Sequence, residues 1–351
     1  MRRQQRVKLG DAVPFIAFVV IFLFFAVASR GKMFSSYNLM LLVDQSMVTI
    51  LLGCGMLFVV AQGSIDLSVG VNLALSGVAA TYAANIAGAW AFIPTAMLVG
   101  AIVGVFNGVV VSKGKVSSFM LTISMLIGVR GIVNFIQESL MKTTGNGSQK
   151  LPDSLLPLGS NTLRAPVFIV IVLVMAYLFE FTKLGRYGKA IGENERSAGN
   201  VGVPVTLMKI LAFGISGLLA GVGGVFTVSK YGATNQTMGQ FMEMQVAMAI
   251  FLGGVLVTGG AGAKIYKVVL GSLSITLIVN GLAIIGKSDS DISQTVEGIL
   301  LLAILFITIL VNSRATRRRA SRKATVDGIS GADSADAELA GFRIDKGENE
   351  T

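Results

Sequence analysis

Histidine is absent from all 351 residues. Its absence removes the commonest proton shuttle and metal ligand, and with them any nucleophile–base pair that needs an imidazole. The single cysteine, Cys54, lies inside an apolar run and excludes a disulfide framework. Charge is scarce as well. Only 14% of residues are charged, against 53% hydrophobic, with 42 glycines and a mean hydropathy of +0.74. So little charge between such long apolar runs excludes a soluble domain and leaves a polytopic helical membrane protein, all-α in class. A phosphate loop is missing too: in GGAGAK at 259–264 no glycine directly precedes the lysine and no Ser or Thr follows it. The chain therefore carries no nucleotide site, metal site or catalytic constellation of its own. The net charge of +10 is no nucleic-acid signature, because the bases sit at the ends of apolar runs and in one cluster near the C-terminus.

What is present is a series of apolar runs, at about 12–28, 46–62, 69–88, 92–111, 116–136, 165–181, 205–228, 241–258, 268–285 and 294–312. Each approaches the ~20 residues that a helix needs to cross hydrocarbon, so about ten spans are expected. Ala26-Val27-Ala28 before Ser29 resembles a cleavage site, but the apolar core is longer than that of a signal peptide, which makes 12–28 an uncleaved first span.

With residues 1–11 inside, the bases Lys113 and Lys115, the four of 182–204, Lys264 and Lys267, and the Arg314–Lys323 cluster all fall inside. The segments 137–164 and 287–293 fall outside. Two stretches depart from this pattern: Arg30 and Lys32 land outside, and 62–68 lands inside without a base. Both termini are thus expected on the cytoplasmic face. Residues 313–351, first basic and then acidic, read as a disordered cytoplasmic tail, whose basic part is drawn to lipid headgroups.

The segment 182–204 is the only long, polar, mixed-charge stretch between two spans. Gly185, Gly188 and Gly192 permit a turning entry, and Glu193–Val201 reads as one short helix before Gly202 and Pro204 start the next span. Such a helix suits a cytosolic partner; an ordinary topology-fixing loop has the same composition.

Candidate pathway residues are polar groups within or beside the runs. Asp66, at the break GSIDLSVG (63–70), either caps the helix that follows or faces a cavity. Asn72, Asn107, Asn134 and Asn280 either line a path for a polyhydroxylated solute or bond to neighbouring helices. Glu243 and Gln245 open the eighth run, and Glu297 stands early in the tenth. The small residues Gly100, Gly104, Gly108, Gly217, Gly221 and Gly224 are helix-packing spacers.

Four ordered stretches together resemble the membrane permease of ribose-type ABC importers: GSIDLSVG at 63–70, SSFMLTISMLIGVRG at 117–131, LGRYGKAIGENERSAGNVGV at 184–203 and EMQVAMAIFLGG at 243–254. The similarity covers about 12–312. It implies two inverted halves, broadly 46–136 and 205–312, with a faint echo between 75–86 and 270–281. It also implies a coupling helix within 182–204 (Arg186, Gly192, Glu193, Asn194, Ala198 and Gly202) against ATPase subunits that bring ATP and Mg. A binding protein, periplasmic or lipid-anchored, would deliver a monosaccharide, and a second permease, identical or different, would complete the channel in a bacterial cytoplasmic membrane. Ser117 and Gln245 replace the usual proline and aspartate, and 263–267 lack the usual small residues; such drift suits pairing with a different permease.

Nucleoside importers are the alternative within this class, with branched-chain amino-acid importers more distant. An ion-coupled secondary transporter would instead need intramembrane acids, for which Asp44, Asp66, Glu243 and Glu297 are the candidates, none with an evident partner in the sequence.

Overall fold

The computed structural model of the protein describes residues 9–145 and 147–286, together with 295, 296, 298, 299, 302 and 306. All elements below lie in the compact unit Met1–Leu301. The N-terminal bases, Glu297, most of the tenth apolar run and the tail lie outside the described residues.

The helices are α1 (Leu9–Ala28), α2 (Ser36–Val60), α3 (Val69–Ala87), α4 (Phe92–Gly114), α5 (Ser118–Thr144), α6 (Asn161–Phe181), α7 (Lys183–Glu193), α8 (Glu195–Asn200), α9 (Val205–Tyr231), α10 (Met242–Leu252) and α11 (Ile265–Ile284). No β-strand occurs among the described residues; one isolated bridge joins Lys150 to Ala233. Among the described residues, seven helices are long and apolar enough to cross a membrane: α2 to α6, α9 and α11. Pro14–Ala28 and α10 are shorter apolar helices. The chain is a multi-pass membrane protein.

Several boundaries differ from the sequence reading. Helix α2 starts ten residues before its apolar run, because the Ser35 hydroxyl accepts the Asn38 N–H and caps it. The external segment expected at 137–164 is shorter, since α5 stays helical to Thr144 and α6 begins at Asn161. The eighth run does not form one span. Helix α10 stops at Leu252, and 253–264 continue without helix, through left-handed backbone at Gly254, Gly259 and Gly260.

Helices α2 and α9 hold the centre. Along α2 every residue from Ser46 to Val60 is buried. Helix α9 lies against α4 at backbone contact. A Cβ on Gly217 would stand 2.2 Å from the Gly100 carbonyl oxygen, and one on Gly104 would stand 2.2 Å from that of Phe213. With no hydrophobic force between helices in lipid, such close approach supplies the attraction. Of the small residues spaced for packing, Gly100, Gly104, Gly108, Gly217 and Gly221 mark the α4–α9 interface, while Gly224 lies against Leu73 and Gly77 of α3.

Candidate functional site

The polar segment 182–204 folds as two helices. Thr182 caps α7 by accepting the Leu184 N–H, and α7 runs to Glu193, where one short helix was expected to begin. Asn194, in extended backbone, then caps α8 through Ser197 (2.8 Å). The three glycines are not a turn: they lie within α7 and let it approach the rest of the bundle. Gly185 meets the Phe179 backbone, Gly188 faces Gln62, and a Cβ on Gly192 would stand 2.1 Å from the Ala61 carbonyl oxygen.

The anchoring continues through side chains. Glu193 accepts the Ala261 N–H at 2.9 Å. Lys189 pairs with Glu180 at 2.8 Å and lies over the Phe179 ring, while Glu180 also accepts the Ile265 N–H at the start of α11. Ala198 is turned inward, where it packs with Ile191 and Met208. Arg186, Asn194, Arg196, Asn200 and Gly202 are exposed, as is Val201 at 81%. One side of α7–α8 is thus bonded to the bundle and the other presents an unpaired apolar tip among polar groups.

The bonded side reaches the two places where membrane helices are interrupted. The first break, 61–68, separates α2 from α3; the second, 253–264, separates α10 from α11. They abut. The Gly260 N–H donates to the Ala61 carbonyl at 3.0 Å, and Gly63 lies against the Thr258 carbonyl. Interrupted backbone of this kind is tolerated where it is buried in protein or lines water.

Asp66 organises the first break. Its Oδ1 accepts the Ser68 N–H (3.0 Å) and hydroxyl (2.6 Å), and its Oδ2 accepts the Ser216 hydroxyl of α9 (2.8 Å). The Ser68 hydroxyl in turn accepts from the Asn107 amide of α4 (2.9 Å), and Asn72 donates to the Gly100 carbonyl (3.1 Å). All three candidates are buried, where they knit α3, α4 and α9 together. Asp66→Ala is expected to cost about 3 kcal/mol, read as a lower unfolding temperature in detergent. Unchanged stability with lost transport would instead place Asp66 on the solute path.

The remaining candidates lie apart. Asn134 is exposed on α5. Glu243 is buried beside Gly70 with Oε2 unpartnered, close enough to Arg130 for their charges to interact. Gln245 is half-buried on α10, and Asn280 is buried in α11. Sequence reasoning missed a charged cluster entirely. Asp44 on α2, whose partner was not evident in the sequence, accepts from Arg164 of α6 (2.9 Å) and pairs with Lys230 of α9. The signal was there: Arg164 and Lys230 border apolar runs, where bases read as interfacial.

The geometry is that of a helical membrane bundle with a polar helix pair bonded to two abutting non-helical stretches. A family model described as "Branched-chain amino acid transport system / permease component" matches residues 38–308. The chain belongs to this family. Among its relatives, the ribose import permease protein RbsC of Escherichia coli (strain K12) is 31% identical over 276 residues, covering 78% of this chain and 86% of the relative. The fructose import permease protein FrcC of Rhizobium meliloti is 28% identical over 313 residues, covering 84% of each. The galactofuranose transporter permease protein YtfT of E. coli (strain K12) is 30% identical over 267 residues, covering 73% and 75%. No solved structure matches the chain. As a family member the chain is a transport permease, and the resemblance read from its four stretches holds.

Proposed function

We propose that this permease forms one half of the channel of an ATP-driven monosaccharide importer in a bacterial cytoplasmic membrane. Ten spans in two inverted halves would place both termini and α7–α8 inside. Separate ATPase subunits, carrying ATP and Mg, would dock on α7–α8, and a binding protein would deliver sugar at the opposite end. A second permease, identical or different, would complete the path. The relatives' named cargoes, ribose, fructose and galactofuranose, support the sugar class.

The observation that carries the mechanism is the two-sided character of α7–α8. Its exposed side offers Val201 and Arg196 to a partner. Its inner side holds Ala261 through Glu193 and meets Ala61 through Gly192. Displacement by a docked ATPase would therefore pass directly to both interrupted helices, without a step of chemistry in this chain.

The test separates docking from transmission. In a gentle-detergent pulldown, Val201→Asp with Arg196→Glu is expected to lose the co-purifying ATPase at unchanged permease stability. Glu193→Ala is expected to keep the ATPase but lower sugar uptake about ten-fold, the effect of about 1.4 kcal/mol of lost coupling. Recovery of the wild-type permease without any ATPase, with uptake driven by an ion gradient, would overturn the reading.

A further inference from the structure

The end of the bundle remote from α7–α8 holds a half-open cavity of about 400 Å³, lined by residues of α2, α6, α9, α10, α11 and the segment 232–241. Asp44, Arg164 and Lys230 form one wall. The amides of Gln45, Asn235 and Gln245 and the hydroxyls of Thr227 and Thr276 contribute much of the rest, with Val48, Met238 and Ile275 between them. Packing in an apolar bundle gives no reason to gather so many polar side chains around an empty volume. Arg164, Lys230, Asn235 and Gln245 stand at helix ends or between helices, but Gln45, Thr227 and Thr276 lie within α2, α9 and α11, and polar groups within spans mark a solute or water path. At about 30 Å³ per water the space holds about a dozen waters, more than a pentose or hexose would displace.

The chemistry selects the class. Both carboxylate oxygens of Asp44 are taken by cations, Oδ1 by Arg164 and Oδ2 by Lys230. Asp44 is the only acid among the lining residues, so the cavity offers the ammonium group of an amino acid no carboxylate free of a cationic partner. Amides and hydroxyls both donate and accept, as sugar hydroxyls do. Tyr231, 70% exposed, borders the cavity and can cover an apolar sugar face.

We propose that this cavity holds one monosaccharide within the single subunit, on the side where sugar arrives. The proposal rests on the sugar-importer reading above. The site lies away from the two helix breaks and uses Gln45, Asn235, Gln245 and Arg164 as its recognising groups.

The test exploits the cysteine content. Cys54 is the only cysteine and is buried, so Thr227→Cys becomes the one accessible thiol, with Tyr37→Cys on the exposed surface as control. Cells making the complete importer receive a thiol reagent that does not cross membranes, with D-ribose, D-fructose, D-xylose or D-galactose in turn. Uptake of each sugar is measured in parallel. The expected result is labelling of Thr227→Cys that slows about ten-fold when the transported sugar stands at about ten times its Kd, while Tyr37→Cys labels at one rate throughout. Uptake of a sugar that leaves Thr227→Cys labelling unchanged overturns the site alone. A Thr227→Cys protein that transports but never labels overturns it too, by showing the cavity closed to outer water. Uptake of none of the four by cells that make the importer counts against the importer reading and takes the site with it.

Discussion

Asp44→Ala is expected to destabilise the permease by about 3–5 kcal/mol. Asp44 and Arg164 are both buried, with side chains 8% and 4% exposed, and their contact joins α2 to α6. Removing the carboxylate leaves the guanidinium without its counter-charge in a medium that solvates it poorly, and its stacking over the Phe226 ring is a weak substitute. Lys230 is 35% exposed and can turn its ammonium toward water, so it adds less to the loss. The double change Asp44→Leu with Arg164→Met removes both charges and is expected to recover most of the stability. Unfolding in detergent, run as a double-mutant cycle, reads both numbers. If Asp44→Ala stays within about 0.5 kcal/mol of the parent, the pair is a surface ornament and not a buried tie.

Gly217→Leu is expected to leave no folded protein in the membrane. The space a side chain would need is occupied by backbone: the Gly100 carbonyl oxygen at 2.2 Å, then the Cα and N of Gly104 at 2.8 and 2.9 Å. Backbone cannot rotate away as a side chain can, so relief requires α4 and α9 to separate along their length. That loss exceeds the ~1–3 kcal/mol of ordinary overpacking. Gly131 on α5 is the control, because a Cβ there meets nothing within 4 Å of this chain. Gly131→Ala is expected to keep or raise the stability of the monomeric subunit by up to about 1 kcal/mol. Quantified membrane-inserted protein, followed by thermal unfolding, distinguishes the two. Wild-type yield and stability for Gly217→Leu would mean that the α4–α9 contact is not formed.

Apolar length and small-residue spacing were enough to read the class, most helices and the presence of close helix packing, because bilayer thickness and backbone approach are one-dimensional constraints, while the pairing of α4 with α9 came from the structure. Two kinds of feature were not legible. The first is interruption: 246–257 reads as one apolar run, and although Gly253 and left-handed Gly254 end the helix after Leu252, the contact of Gly259 and Gly260 with Ala61 that holds the following stretch is tertiary. The second is pairing across the chain. Asp44 and Arg164 stand 120 positions apart, and nothing local to either announces the other. The same holds for Glu193 and Ala261. The polar candidates illustrate a third limit, since an amide written into an apolar run looks alike whether it lines a cavity, as Gln245 does, or bonds to a neighbouring carbonyl, as Asn72 does.

The abutting breaks carry a kinematic consequence. A continuous helix resists bending and passes a push straight along its axis, whereas residues 61–68 and 253–264 lack the i→i−4 ladder that supplies this stiffness. Because Gly260 donates to Ala61 and Glu193 grips Ala261, the two compliant joints share one bearing. A swing of α7 would turn α3 and α11 about that common point in a single stroke, and neither could yield ahead of the other.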